Sequence, residues 1–318
     1  GRQVRLVRAL NPQEREDLET LAAALKPLST WNALSTIQEA REACGGSGFL
    51  AENRMVGLHQ DLDVYVTFEG DNNILLQLVG KRLLADYAKQ FKGADAAKLA
   101  SFAAKQTAGK VFHGAGLRRL GQTVADFGST ARSVELGLRA EQQHELLAGR
   151  VEQMISDIAA RLRPASKASP AEAAALFNAN QAELIEAARA HGELLQWEAF
   201  SDGIAKVEDA GTAQVLTWLR DLFGMHLIEK HLAWYLINGR LSAQRAASVS
   251  RYIDRLALRL RPHAQDLVDA YGFAPEHVRA PIASGAERAR QDEARAYYAD
   301  LAASGDAPVS EKSRAKKK

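Results

Sequence analysis

The residues best suited to chemistry lie between positions 42 and 73. Glu69 sits between Phe68 and Gly70, and Asp71, Asn72 and Asn73 follow at once. A carboxylate beside a glycine stands where a substrate can come close to the backbone, and a neighbouring phenylalanine helps to exclude water. Desolvation would raise the pKa of that carboxylate and make it a better general base near neutral pH. The same residues also allow a plainer role, a solvated glutamate at the start of a helix that Asp71 or Asn72 caps. Upstream, Gly45-Gly46-Ser47-Gly48 places three glycines in four residues, which stops a helix and permits unusual dihedral angles.

Three other motif readings fail on context. Gly46-Ser47-Gly48-Phe49-Leu50-Ala51 has the spelling of a dinucleotide fingerprint, but that motif needs a buried strand before it and Thr36 to Cys44 reads as helix. A nucleophile elbow around Ser47 fails at Phe49, where a second glycine is required. His226 and His231 are five residues apart, off the four-residue spacing that puts two metal ligands on one helical face, and read as ordinary helix residues.

The elements that must position Glu69 read as helices. Asn11-Pro12-Gln13-Glu14 combines a cap, a proline at the first helical position and a glutamate three after the cap, which predicts a helix towards Lys26. A second helical stretch is expected from Pro27 to Ala43. Leu62 to Phe68 alternates, with Val64, Val66 and Phe68 on one side, and reads as a short extended run. A helix then resumes, with Leu75, Val79, Leu83, Tyr87 and Phe91 at four-residue intervals and Leu76 and Leu84 widening the apolar face. Further on, Arg132 to Arg163 predicts a long helix and Ser169-Pro170-Ala171-Glu172 a second capping box. Asn238-Gly239 and Gly272 are expected to end helices with glycine in the left-handed region. Cys44 and Trp31 read as packing residues. The fold class is all-α, a packed helical bundle.

Composition narrows the function. The 318 residues carry 41 basic and 39 acidic side chains, a net charge of +2, which leaves no chain-wide field to gather nucleic acid or an anionic membrane. No run of about 18 apolar residues could span a bilayer. A single cysteine, Cys44, permits no intrachain disulfide and fits a reducing compartment. No Ser-Lys-Leu address ends the chain, so a cytoplasmic location is expected. The basic stretch Ser310 to Lys318 reads as a solvated tail.

Glu42-Ala43-Cys44-Gly45-Gly46-Ser47-Gly48-Phe49, followed by Asp61-Leu62-Asp63-Val64-Tyr65-Val66-Thr67-Phe68-Glu69-Gly70-Asp71-Asn72, closely resembles the C-terminal signature of the acyl-CoA oxidases and, more loosely, of the acyl-CoA dehydrogenases. Glu229-Lys230-His231-Leu232, Trp234-Tyr235-Leu236, Asn238-Gly239 and Leu267 to Gly272 resemble the second helical domain of the oxidases. The resemblance implies a dehydrogenase-type bundle over residues 1–92, an oxidase-type helical domain over 93–310 and a basic tail over 311–318. It implies FAD as cofactor, a fatty acyl-CoA substrate and a homodimer or larger homo-oligomer with flavin near the subunit interface. Glu69 is then the catalytic base that takes the proton α to the thioester, while its N–H holds the thioester oxygen with Gly70 beside it. Gly45 and Gly46, with Asp71, Asn72 and Asn73, become cofactor contacts. Relatives grip flavin and acyl-CoA with an N-terminal helical domain and a β domain, neither visible in this sequence, so the chain alone is expected to be inactive. An electron-transfer flavoprotein as acceptor, and a silent helical scaffold docked on a flavoprotein, are the alternatives.

Overall fold

The computed structural model of the chain describes residues 11–89 and 139–306. Among these residues every regular element is an α-helix or a 3-10 turn, and none is a strand. In order, the helices are α1 (Pro12–Ala43), α2 (Met55–Asp63), α3 (Asn72–Lys89), α4 (Ala140–Leu162), α5 (Pro170–Ala179), α6 (Gln181–Ile204), α7 (Ala210–Lys230), α8 (Leu232–Ile237), α9 (Ala243–Leu260), α10 (Ala264–Asp269) and α11 (Ala286–Ser304). Phe91, the start of the Arg132–Arg163 stretch, the 92/93 boundary and the 311–318 tail lie outside the described residues.

The chain groups into two compact units, Gly1–Trp31 with Val66–Val268, and Asn32–Tyr65 with Asp269–Lys318. The division falls inside α1, so the grouping does not follow the linear order of the sequence.

In the first unit α6 is the central helix and packs against α3, α4 and α7, while α7 packs against α9. The core joins Ile155 and Ile158 of α4, Leu184 and Trp197 of α6, Met225 and Ile228 of α7, and Val249 and Leu256 of α9. In α9 the buried positions Ala246, Val249, Tyr252, Leu256 and Leu260 recur every three or four residues, the spacing that makes one face apolar. Burying each such leucine stabilises the unit by roughly 1.5–3 kcal/mol relative to exposure. A smaller cluster joins Ala23 and Ala24 of α1, Leu76 and Val79 of α3 and Ala188 of α6, with Trp31 against it and the Arg189 guanidinium 4.4 Å over the Trp31 ring. This cluster packs α1 against α3, the helix that the Glu69 turn leads into. At Gly80 a Cβ would lie 2.5 Å from the Leu184 side chain, so the α3–α6 approach depends on the missing side chain.

Two expectations are corrected here. Residues 12–43 form one helix rather than two, and Pro27 sits inside it. The ring removes one donor and crowds the preceding turn; burial of Ala23, Ala24, Pro27 and Leu28 offsets that cost. Leu62 to Phe68 is not extended: Leu62 and Asp63 close α2, and Val64–Val66 form a 3-10 turn. A lone strand would leave its N–H and C=O groups without a ladder, whereas a tight helical turn satisfies them locally.

The expected helix starts are present. The Asn11 side chain accepts from the Glu14 N–H at 2.9 Å and Glu14 accepts from the Asn11 N–H at 2.9 Å. Ser169 and Glu172 make the second capping box. Gly239 and Gly272 have φ of 64° and 70°, as a left-handed helix stop requires.

Candidate functional site

Glu69 lies on the turn between the 3-10 turn Val64–Val66 and α3, with φ of 59°. A non-glycine residue in this region carries strain of about 1–2 kcal/mol, and such strain concentrates at functional sites. Gly70 follows at φ 101°, a conformation that favours glycine, and a Cβ there would also crowd the Leu75 side chain at 3.1 Å. Asp71 caps α3, its carboxylate accepting from the N–H groups of Asn73 at 2.9 Å and Ile74 at 3.3 Å.

Beneath the turn, α1 supplies two residues that sequence reasoning missed. The Lys26 ammonium donates to the Gly70 carbonyl at 2.7 Å and to the Asn72 side-chain oxygen at 2.8 Å. The Asn72 amide donates to the Thr30 hydroxyl at 3.0 Å, and that hydroxyl donates to the Lys26 carbonyl at 3.0 Å. Asn72 is 1% exposed, so its two polar ends are spent within the chain. Asn73 is exposed. Lys26 and Asn72 are far apart in sequence, and no local spacing rule pairs them.

The turn is not dry in this chain. Glu69 is exposed and Phe68 is 61% exposed, so Phe68 does not screen the carboxylate as its position in the sequence suggested. Ile74 and Leu78, one turn apart on α3, are 60% and 51% exposed. Phe68, Ile74 and Leu78 thus leave apolar surface uncovered around the start of α3.

The double-glycine segment belongs to the second unit. Gly45–Phe49 is a 3-10 turn at the end of α1, with Gly45 at φ 57°. Gly45 and Gly46 are exposed, and a Cβ on either would meet nothing within 4 Å. They present bare backbone with open space before it, room for a ligand to lie against the main chain. Gly48 is the opposite case, since a Cβ there would lie 2.1 Å from the Arg41 carbonyl oxygen. Asn53, 4% exposed, fixes this turn by donating to the Ser47 carbonyl at 2.9 Å and accepting from the Ile282 N–H at 3.0 Å. Cys44 is half-buried at the helix end.

The two histidines set aside above part company. His226 is exposed on α7, while His231 stands at the α7–α8 junction, 3.7 Å from the Glu193 carboxylate. No group of three or more His, Cys, Asp or Glu side chains among the described residues could hold a metal ion. No helix among them is long and apolar enough to cross a membrane. A surface groove of about 690 Å³, lined by Leu84, Leu162, Arg163 and Lys167, contains none of the predicted site residues.

Comparison with known proteins gives this geometry a family. The model of the acyl-CoA oxidase C-alpha1 domain matches residues 3–84, and the acyl-CoA oxidase model matches residues 139–285. Acyl-coenzyme A oxidase 2 of Arabidopsis thaliana, described as peroxisomal, is 28% identical over 275 residues, covering 84% of this chain and 37% of the relative. An acyl-coenzyme A oxidase-like protein of Mus musculus is 51% identical over 75 residues, 24% of this chain and 12% of its own. Among solved structures, acyl-CoA oxidase 1 of Yarrowia lipolytica superposes with a TM-score of 0.68 at 23% identity, over 87% of this chain and 40% of that one. An acyl-CoA oxidase-1 of Caenorhabditis elegans, complexed with FAD and ATP, gives 0.67 at 19% identity, over 88% and 39%. The chain spans 37% or 38% of the length of the first Arabidopsis relatives. With two models of one family covering well over half of its residues, and the same all-α fold in the solved members, the chain belongs to the acyl-CoA oxidase family and matches that family's C-terminal helical part.

Proposed function

We propose that the chain forms part of a flavin-dependent acyl-CoA oxidase of fatty acid β-oxidation, in which Glu69 is the catalytic base. The observation that carries this reading is the Glu69 backbone, held at φ 59° on a turn that Lys26 and Asn72 fasten to α1. A solvated glutamate with no task has no need of that strain.

In this reading the Glu69 carboxylate removes the proton α to the thioester of a fatty acyl-CoA, and its N–H donates to the thioester oxygen as negative charge develops there. The Gly70 backbone lets the thioester come close. The chemistry a bound FAD supplies is acceptance of the hydride from the β-carbon and delivery of the electron pair to oxygen as hydrogen peroxide, which leaves trans-2-enoyl-CoA. The open backbone at Gly45 and Gly46 fits a cofactor that lies against main chain, near a subunit interface in a dimer. At the start of α3, Asp71 and Asn73 are the residues that the family resemblance assigns to flavin, while Asn72 acts from beneath by holding the turn. The uncovered Phe68, Ile74 and Leu78 fit a site that the rest of the oxidase, or a partner flavoprotein, closes over.

Glu69→Gln in the complete flavoenzyme tests the assignment. The amide cannot take the proton, so turnover of acyl-CoA is expected to fall at least about 1,000-fold, within the range that removal of an essential acid–base group produces, with flavin content retained. Turnover within a few fold of the parent enzyme would overturn it and leave the chain a helical docking element.

A further inference from the structure

We infer that Lys26 is the positioning residue of the site: it sets the aim of Glu69 without touching substrate. The inference rests on the reading of Glu69 as the base.

The ammonium of Lys26 is shared between two neutral oxygens, the Gly70 carbonyl at 2.7 Å and the Asn72 side-chain oxygen at 2.8 Å. Both bonds are charge-assisted, and such bonds are roughly twice as strong as neutral ones. The Asn72 amide continues the network to Thr30, whose hydroxyl returns to the Lys26 carbonyl. The result is a closed ring of hydrogen bonds between one turn of α1 and the first residue of α3. α1 and α3 also share a buried cluster, so the ring stands on packed helices.

The ring acts on Glu69 through the backbone. Gly70 is free to take many dihedral pairs, and without an anchor its carbonyl could rotate and let Glu69 relax out of the left-handed region. Holding the Gly70 carbonyl from below and Asp71 at the helix cap removes that freedom on the C-terminal side of Glu69. A carboxylate and an N–H on the same residue must both point at one thioester, and a displacement of about 1 Å can cost about 100-fold in rate. A lysine that holds two neutral oxygens here, where it could have taken a carboxylate on the surface, is thus tied to the direction of the base.

The test uses Lys26→Met in the complete flavoenzyme with a saturated acyl-CoA substrate. The expected result is a kcat about 10- to 100-fold lower, a KM within a few fold, unchanged flavin content, and a larger primary isotope effect with α-deuterated substrate, because proton removal becomes more rate-limiting. Lys26→Arg, which keeps a cation within reach of both oxygens, should recover part of the loss. If Lys26→Met folds poorly, Thr30→Val removes the acceptor of the Asn72 amide and should move kcat and the isotope effect the same way by less. A kcat and isotope effect within twofold of the parent, with Glu69→Gln inactive, would overturn the role of Lys26 and leave the base assignment standing. Loss of activity in step with flavin loss at an unchanged isotope effect would also overturn it. If Glu69→Gln itself stays active, the reading beneath falls first.

Discussion

Glu193 of α6 gives the strongest energetic prediction. Its carboxylate and the Arg150 guanidinium of α4 are each 5% exposed, 3.6 Å apart, and His231 stands 3.7 Å away on the same oxygen. Lys230, 44% exposed, closes a hydrogen bond at 3.1 Å to the other oxygen. Burial opposes the negative charge, yet hydrogen bonding and electrostatic attraction from His231 and Lys230 outweigh it and hold the Glu193 pKa below its ordinary value of 4.5. Glu193→Leu would leave Arg150 buried without its counter-charge, a change that costs about 3–5 kcal/mol. At 2–4 °C per kcal/mol for a domain of this size, the melting temperature should fall by roughly 6–20 °C. Thermal unfolding followed by far-ultraviolet circular dichroism measures this. Adding Arg150→Leu should restore most of the loss, because replacing both members of a buried pair with apolar groups is often neutral. The folded pKa is the lower one, so the contribution is complete above the unfolded value and is lost as pH falls through the folded value. The gap between parent and Glu193→Leu should therefore narrow on acidification below about pH 4.5. A single variant melting within about 2 °C of the parent at pH 7 would refute the reasoning.

Two further changes probe the site. Gly48→Ala would force a methyl to within 2.1 Å of the Arg41 carbonyl oxygen, which is backbone and cannot rotate away; overpacking of this kind costs about 1–3 kcal/mol. Amide hydrogen exchange over residues 44–53 should accelerate, and unchanged protection would show that the turn absorbs the methyl. Glu69→Gly should relieve the left-handed strain and raise the urea midpoint of the first unit, by up to about 1 kcal/mol in stability, while abolishing turnover. A lowered midpoint would mean that the side chain stabilises the turn.

What could be read from the sequence was what is local. Asn11 with Glu14, Ser169 with Glu172 and Asp71 before α3 each bond a backbone group two or three residues away, so spacing alone identifies them. The apolar stripe of α3 was legible too, because Leu76 and Val79 are buried and Leu83, Leu84 and Tyr87 pack against the core at the helical period. Pro27 was misread because the rule that proline ends a helix describes an isolated helix, and here tertiary burial overrides it. The 62–68 stretch was misread because alternation signals a strand only where a second strand exists to pair with. Lys26, Thr30 and Asn53 were invisible for another reason: Asn72 lies 46 residues from Lys26, and Ile282 lies 229 from Asn53. A lone lysine on a helix reads as a solvated charge until the fold brings an acceptor to it. The Glu193 cluster is similar, gathering residues of α4, α6 and the α7–α8 junction.

Under the proposed role of Glu69, two requirements of a general base are divided between the turn and its surroundings. Direction comes from within the described residues: Lys26 and Thr30 fix the turn from α1, Asp71 fixes it to α3, and Glu69 is left in a backbone conformation it would not choose alone. Dryness does not, since the carboxylate is exposed and Phe68, Ile74 and Leu78 face solvent around it. A base that was both aimed and desolvated within one helical unit would carry a buried, unpaired charge, which costs several kcal/mol at all times. Aiming the group on a rigid turn, and removing its water only when other protein and the substrate close over the apolar rim, confines that cost to the moment of reaction. The division predicts that variants of Phe68, Ile74 or Leu78 to polar residues weaken the closure and raise KM, whereas variants of Lys26 lower kcat.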